Sequence, residues 1–231
     1  MSRAAPVIFR DLGNIEYGKA WRLQEEYFDR LVEYKRNGMK GKMPGQYLLF
    51  CEHPHVYTLG KSGEENNLLI HMEFLDKINA TYFKTNRGGD ITYHGPGQVV
   101  GYPILDLELL GIGLKQYIAL LEEVIIGLLG RHGIDATRME GATGVWLDAE
   151  HPVKARKICA IGVRSGRYIT MHGFALNVNT NLDYFGYINP CGFQNKGVTS
   201  MEKELGKMVN MEHIKEMLRD ILLEKFHPPA R

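Results

Sequence analysis

The stretch Arg87-Gly88-Gly89-Asp90-Ile91-Thr92-Tyr93-His94-Gly95-Pro96-Gly97-Gln98 constrains this chain more than any other. It holds four glycines, a proline, an arginine, an aspartate, a histidine and a tyrosine in twelve residues. Strand-like runs at 81–85 and 99–104 flank it. A connection inside a compact domain is usually about 4–6 residues long. Glycine at this density permits φ > 0 and lets backbone approach a ligand closely. A ligand-binding loop and a long hairpin loop built of turn formers both fit the local sequence, and the rest of the chain has to decide between them.

The 231 residues fit one large domain, 1–231, in which the chain after about residue 183 could pack as a smaller lobe. An apolar content of 44% supports a substantial core, and a net charge of +1 gives no global electrostatic case for nucleic acid. Cys51, Cys159 and Cys191 form neither a CxxC pair nor a disulfide framework, which favours a reducing compartment and leaves room for a reactive thiol. The N-terminus has no apolar signal region, and no apolar run approaches the roughly 18–20 residues of a membrane span. A soluble, cytoplasmic chain without membrane association is expected, and a monomer. His53 and His55 flank Pro54, but no carboxylate or cysteine lies at a ligand spacing from them, so no metal is expected there.

Residues 7–10 read as a short strand. Asn14 is placed to cap a helix whose apolar face carries Ala20, Leu23, Tyr27, Leu31 and Tyr34, with Lys35 and Arg36 at its end and Gly38 as a stop. Residues 46–52 read as a buried strand containing Cys51 as a core thiol. Residues 68–78 are mixed and partly helical. Leu114, Tyr117, Ile118, Leu121, Val124, Ile125 and Leu128 mark an amphipathic helix closed by Gly130 and Gly133. Strands follow at 134–138 and 143–148, then a hairpin of 158–164 with 168–178 about the turn Ser165-Gly166-Arg167. Residues 179–198 lose periodicity, and a connection that long is often functional. Thr199 with Glu202 has the spacing of a capping box, and Met211, Ile214, Met217, Leu218, Ile221 and Leu222 mark a final helix.

Asn189-Pro190 before Cys191 and Gly192 after it hold that thiol at a restricted bend, whereas Cys159 lies in an apolar strand. If one cysteine is a nucleophile, Cys191 is the better candidate; an incidental loop cysteine is the alternative. A thiol needs a neighbouring cation or base to ionise at neutral pH, and His94, His172 and Lys157 are the available partners.

These segments together resemble the lipoyl(octanoyl) transferase (LipB) family. The likeness runs through Glu52-His53-Pro54 with Tyr57-Thr58-Leu59-Gly60, then Arg87 to Gln98 with Gly101-Tyr102-Pro103. It continues through Lys157-Ile158-Cys159-Ala160-Ile161-Gly162, His172-Gly173-Phe174-Ala175-Leu176-Asn177-Val178 and Asn189-Pro190-Cys191-Gly192. The resemblance implies an α/β (α+β) catalytic domain like those of biotin and lipoate protein ligases: a mixed β-sheet with flanking helices plus a smaller sheet. It implies transfer of an octanoyl group from octanoyl-acyl carrier protein to a lysine of lipoyl domains or of the glycine cleavage H protein, without a cofactor. It makes Cys191 the nucleophile and Lys157 its partner. Arg87 to His94, Ala160 to Gly162 and Gly173 to Ala175 become the substrate contacts. Because those carriers are acidic, the 154–157 turn, Arg164, Arg167 and the basic cluster at 35–42 are docking candidates. Competing readings are an ATP-dependent lipoate or biotin ligase on the same fold and a non-catalytic module that binds acyl carrier protein.

Overall fold

The structure, a computed structural model, describes residues 6–189 and 196–226. The chain opens with β1 (Val7–Asn14) and α1 (Tyr17–Arg36), then β2 (Gln46–Glu52) and β3 (Val56–Leu59). A short helix α2 (Met72–Lys77) leads to β4 (Thr81–Lys84), β5 (Thr92–His94) and β6 (Gln98–Ile104). Helices α3 (Leu107–Leu110) and α4 (Leu114–Arg131) follow, then β7 (Thr137–Met139), β8 (Ala142–Leu147), β9 (Arg156–Gly166) and β10 (Ile169–Asn177). After a 3-10 segment, Leu182–Tyr187, come β11 (Gly197–Val198), α5 (Met201–Leu205) and α6 (Met211–Lys225).

The large sheet has the order β1-β2-β6-β10-β9-β8-β7, and along that order every pairing is antiparallel save β1 against β2. β11 runs parallel to β9 along the edge that β10 vacates beyond Cys159. Side-chain alternation sorts the strands onto two faces. Leu49, Cys51, Val100, Tyr102 and Ala175 pack under α1, while Leu48, Phe50, Val99, Phe174 and Leu176 join the cluster that includes α4 and α6. The central strands are covered on both faces and read as continuous apolar runs. A second sheet, β4-β3-β5, encloses its own core of Tyr57, Leu59, Ile91 and Tyr93, joined by Ile188.

The Arg87–Gln98 region is therefore not a hairpin loop. β4 and β6 are not partners: β5, cut from the middle of the stretch, pairs antiparallel with β3 in the small sheet, and Gly95-Pro96-Gly97 carries the chain across to β6 in the large one. Gly97 sits at φ +79, where a Cβ would lie 2.3 Å from the Asn179 oxygen, so only glycine fits without rearrangement. Its carbonyl accepts from the Asn179 amide at 2.8 Å, and its own amide donates to Glu52 Oε2 at 2.9 Å.

Two expected helix starts are displaced. Asn14 belongs to β1, which extends past residue 10, and Glu16 occupies the cap position of α1 without a side-chain bond. Ser200, not Thr199, caps α5, accepting from the Lys203 amide; the Thr199 hydroxyl instead donates to Glu204. Asn14 is taken up by the β1–β2 ladder, and the Thr199 hydroxyl turns to a carboxylate within α5 itself.

Candidate active site

A cavity of about 480 Å³ opens between the two sheets. Arg87, Gly89, Asp90 and Ile91 enter it from the loop before β5, and Thr92 and His94 from β5 itself. β9 contributes Lys157, Ala160, Ile161 and Gly162, and β10 contributes Gly173, Phe174 and Ala175. The β9 and β10 segments share one wall because the hairpin pairs them residue for residue, with Gly173 opposite Gly162 and Ala175 opposite Ala160, and the loop before β5 reaches it from more than sixty residues upstream. Gly88 and Tyr93 do not line the cavity. Gly88 donates its amide to the Val163 carbonyl. Tyr93 alternates to the other side of β5, packs against Tyr184 and hydrogen-bonds His55 Nδ1 at 2.7 Å. Cys191 lies outside the described residues.

Arg87 is buried, and its fork is committed to the neighbouring chain. Nη2 donates to the Thr58 carbonyl at 2.5 Å, Nε donates to the Thr58 hydroxyl at 3.2 Å, and Nη1 donates to the Gly88 carbonyl at 3.0 Å. Such bonds from a charged donor fix the loop before β5 on β3. From there a buried chain of polar groups crosses the cavity floor. The Thr58 hydroxyl lies 3.4 Å from His94 Nε2, and His94 Nδ1 donates to Gln98 Oε1 at 2.8 Å. Gln98 Nε2 donates to Asn177 Oδ1 at 2.9 Å, and Asn177 Nδ2 donates to the Thr199 carbonyl at 3.0 Å. The Thr199 amide in turn donates to the Lys157 carbonyl at 2.9 Å. The glycine-rich stretch and the backbone of Lys157 are therefore tied through one network, in which every link is satisfied.

Burial, reinforced by nearby His53, Arg87 and His172, pushes the His94 imidazole down to about 3. Burial and the Arg87 and Arg164 charges do the same for His172, also to about 3. Both rings are neutral at physiological pH and are poorly suited to hold a thiolate as cations. His172 sits at φ 60 within β10 and donates Nε2–H to Asn86 Oδ1 at 2.7 Å, which leaves a lone pair on Nδ1. His53 is likewise committed to structure: Nδ1–H donates to the Ile15 carbonyl at 2.6 Å and Nε2 accepts from Tyr102 at 2.7 Å. Burial raises the Cys51 and Cys159 thiols, and both are fully enclosed.

Lys157 lies opposite Trp146 in the β8–β9 ladder. Its Nζ sits 4.6 Å from the centre of the Trp146 ring and donates to the Thr143 carbonyl at 3.1 Å. Thr58, Gln98, Trp146, Asn177 and Lys196 were not singled out from sequence as site residues. Gln98 and Thr58 stood inside motifs already noted; Trp146 and Lys196 carry no local signal. The docking candidates divide. Lys35 is held by Asp106 at 2.6 Å and by Glu108, Arg156 is paired with Glu204 and Asp148, and Arg164 lies over Phe28. Arg36, Lys40, Lys42, Lys154 and Arg167 are exposed. Among the described residues no helix is long and apolar enough to cross a membrane.

The family model for the lipoyl protein ligase A/B catalytic domain matches residues 16–223. An octanoyltransferase of Bacteroides fragilis is 57% identical over 209 residues, which cover 90% of this chain and 93% of that protein. An octanoyltransferase of Parabacteroides distasonis is 54% identical over 218 residues, 94% of this chain and 97% of that one. The fold recurs in a bipartite lipoate protein ligase of Thermoplasma acidophilum (TM-score 0.69, 14% identity, 99% of this chain and 86% of that one). It recurs also in a lipoate-protein ligase A bound with ATP (TM-score 0.65, 14% identity, 99% and 88%). The chain belongs to the lipoyl protein ligase A/B catalytic-domain family, within its octanoyltransferase branch, and is an acyltransferase.

Proposed function

We propose that this chain transfers an octanoyl group from octanoyl-acyl carrier protein to a specific lysine of lipoyl domains and of the glycine cleavage H protein. The transfer runs through a thioester on Cys191, in the cytoplasm, with residues 1–231 acting as a single catalytic domain, a monomer, without a cofactor. The observation that carries the reading is the convergence of Lys157 with Arg87–His94, 160–162 and 173–175 on one cavity, in a chain whose relatives are octanoyltransferases.

In the first half-reaction the Cys191 thiolate attacks the donor's thioester carbonyl. A new C–S bond forms to Cys191, the old one breaks, and the carrier thiolate leaves and takes a proton from the Lys157 ammonium, which becomes a neutral amine. In the second, the acceptor's ε-amine attacks the acyl-cysteine. A C–N bond forms, the Cys191 C–S bond breaks, and the amine proton passes to the Lys157 amine. Lys157 first favours the thiolate as a nearby cation and later receives that proton. Ile91, Ile161, Phe174 and Ala175 offer the acyl chain an apolar wall. Burying it contributes roughly 5 kcal/mol, at about 0.8 per methylene, before ordering costs. The neutral His94 and His172 leave Lys157 as the better partner among the three candidates.

Intact-mass measurement after incubation with octanoyl-acyl carrier protein tests the proposal. Wild type and Cys159→Ser gain one octanoyl group, and Cys191→Ser gains none. An adduct on Cys191→Ser would remove Cys191 as nucleophile. Transfer that requires ATP and free octanoate, with no use of the carrier-bound donor, would establish the ligase reading instead.

A further inference from the structure

Four buried side-chain polar atoms find no hydrogen-bond partner among the described residues. Three of them, Trp21 Nε1, Gln24 Nε2 and His172 Nδ1, belong to side chains that meet where α1 packs on β10. Trp21 and Gln24 stand three residues apart on α1 and so share one of its faces. The Trp21 and His172 ring centres are 6.3 Å apart, and Gln24 Oε1 accepts the His172 amide at 3.1 Å. His172 is 1% exposed and holds a φ of 60 inside β10, a left-handed conformation that a histidine adopts at a cost. His172 lines the cavity, whereas Trp21 and Gln24 stand behind it. The three atoms have complementary capacity. Trp21 Nε1 carries one N–H and Gln24 Nε2 carries two, all buried and unpaired, a costly state. The His172 ring donates Nε2–H to Asn86 Oδ1 at 2.7 Å, so its Nδ1 offers a lone pair. A water molecule accepts both kinds of N–H through its two lone pairs and gives an O–H to Nδ1, the roughly three bonds usual for a buried water. Two bonds of about 2.9 Å each let it span nitrogens on rings this close.

We propose that Trp21, Gln24 and His172 bind one water molecule between α1 and β10, and that this water locks the His172 tautomer which holds the loop before β5 against the cavity. An imidazole's two nitrogens are set by each other's partners: an O–H given to Nδ1 keeps the proton on Nε2. That proton is the one bonded to Asn86 Oδ1, and Asn86 immediately precedes Arg87, whose guanidinium pins the same loop to Thr58. Without the water, Nδ1 would compete for the ring proton, and a protonated Nδ1 would leave two acceptors, Nε2 and Asn86 Oδ1, facing each other. Trp21 and Gln24 thereby become positioning residues. They touch neither the cavity nor the loop, and they act on the substrate wall through the water and His172.

A crystal structure of the wild-type protein tests the site without any variant: one solvent peak within about 3.2 Å of all three nitrogens is expected. Direct bonding among the three with no peak between them would overturn the proposal, as would a peak that misses His172 Nδ1. The tautomer is read in solution from long-range 1H–15N correlations of labelled histidine rings. The His172 signals are identified by their loss in His172→Asn, since asparagine tolerates the left-handed backbone. A bare Nδ1 and a protonated Nε2 are expected in wild type, and a protonated Nδ1 would refute the lock. Trp21→Phe keeps an aromatic ring and removes one donor. It is expected to shift the Nδ1 signal and, with it, the Asn86 side-chain amide; an unchanged Nδ1 signal would remove Trp21 from the site. In a competent enzyme the same variant is expected to raise KM for the octanoyl donor several-fold with kcat nearly kept, because the loop lines the cavity and does no chemistry. Unchanged kinetic constants beside a shifted tautomer would break the link from His172 to the substrate wall. This kinetic arm alone rests on the acyl-transfer reading, whose failure shows separately, as absence of an octanoyl adduct on the wild-type enzyme.

Discussion

Gln98→Leu tests the polar chain that crosses the cavity floor. Gln98 is 1% exposed, and leucine approximates its volume, so packing changes little. Three bonds disappear: His94 Nδ1–H to Oε1 at 2.8 Å, Nε2–H to Asn177 Oδ1 at 2.9 Å, and Nε2–H to the Tyr93 carbonyl at 3.3 Å. Each leaves a buried group without its partner, at about 1–3 kcal/mol apiece, with the long third bond at the low end. Leucine's extra apolar burial returns about 1 kcal/mol. The net expectation is a loss of about 3–5 kcal/mol, enough in a chain of this size to lower Tm by roughly 8–15 °C. Urea unfolding followed by circular dichroism measures it, and the midpoint should fall while the slope stays constant, because the surface exposed on unfolding is unchanged. A loss below about 1 kcal/mol would refute the claim that these bonds act as a network. Asn177→Ala in the Gln98→Leu background should cost distinctly less than in wild type, since its Oδ1 has already lost its donor.

Stability should also fall on mild acidification. His53, His94 and His172 have folded values depressed to about 4, 3 and 3 from a usual 6.5, so the unfolded chain binds their protons first and stability present above about pH 6.5 is lost as pH falls toward 3–4. Each histidine gives up about 2 kcal/mol at pH 5, and urea midpoints that match at pH 7.5 and 5 would contradict the burial argument. Gly173→Ala would put a Cβ 2.1 Å from the Gly101 carbonyl oxygen and 2.8 Å from Pro103 Cδ, prising β10 from β6; a loss of about 2 kcal/mol or more is expected by thermal unfolding, with octanoyl-adduct formation reduced in parallel.

Much of the frame was legible from periodicity and turn chemistry. The β9–β10 hairpin, α4 and α6 each carry their signal within a short window, and the structure forms them close to where spacing puts them. β5 was not legible, because three residues cannot display an alternation, and its partner β3 lies more than thirty residues upstream. Asn14 and Thr199 misled because local capping competes with a ladder in one case and with Glu204 in the other. Lys35 looked like one more solvated helix-end lysine; its carboxylates, Asp106 and Glu108, arrive from seventy residues away. In the site, the glycine-rich stretch and both β9 and β10 segments were readable as motifs. Lys196 and Trp146 were not, since a lysine near a loop and a strand tryptophan have no local pattern that places them in one cavity.

β9 has a consequence of its own. One strand carries the Lys157 ammonium at its start and Gly162 beside the Arg87 loop five residues later, a span of roughly 16 Å at about 3.3 Å per residue. It is laced on one edge by β8 and on the other by β10 and β11. The strand behaves as a ruler that cannot stretch: it sets a fixed interval between the charged end and the far wall. Differences in what the cavity admits must then be written in the side chains that stand on that ruler and across from it, Ile161, Phe174 and Phe185 among them, while the interval itself stays constant.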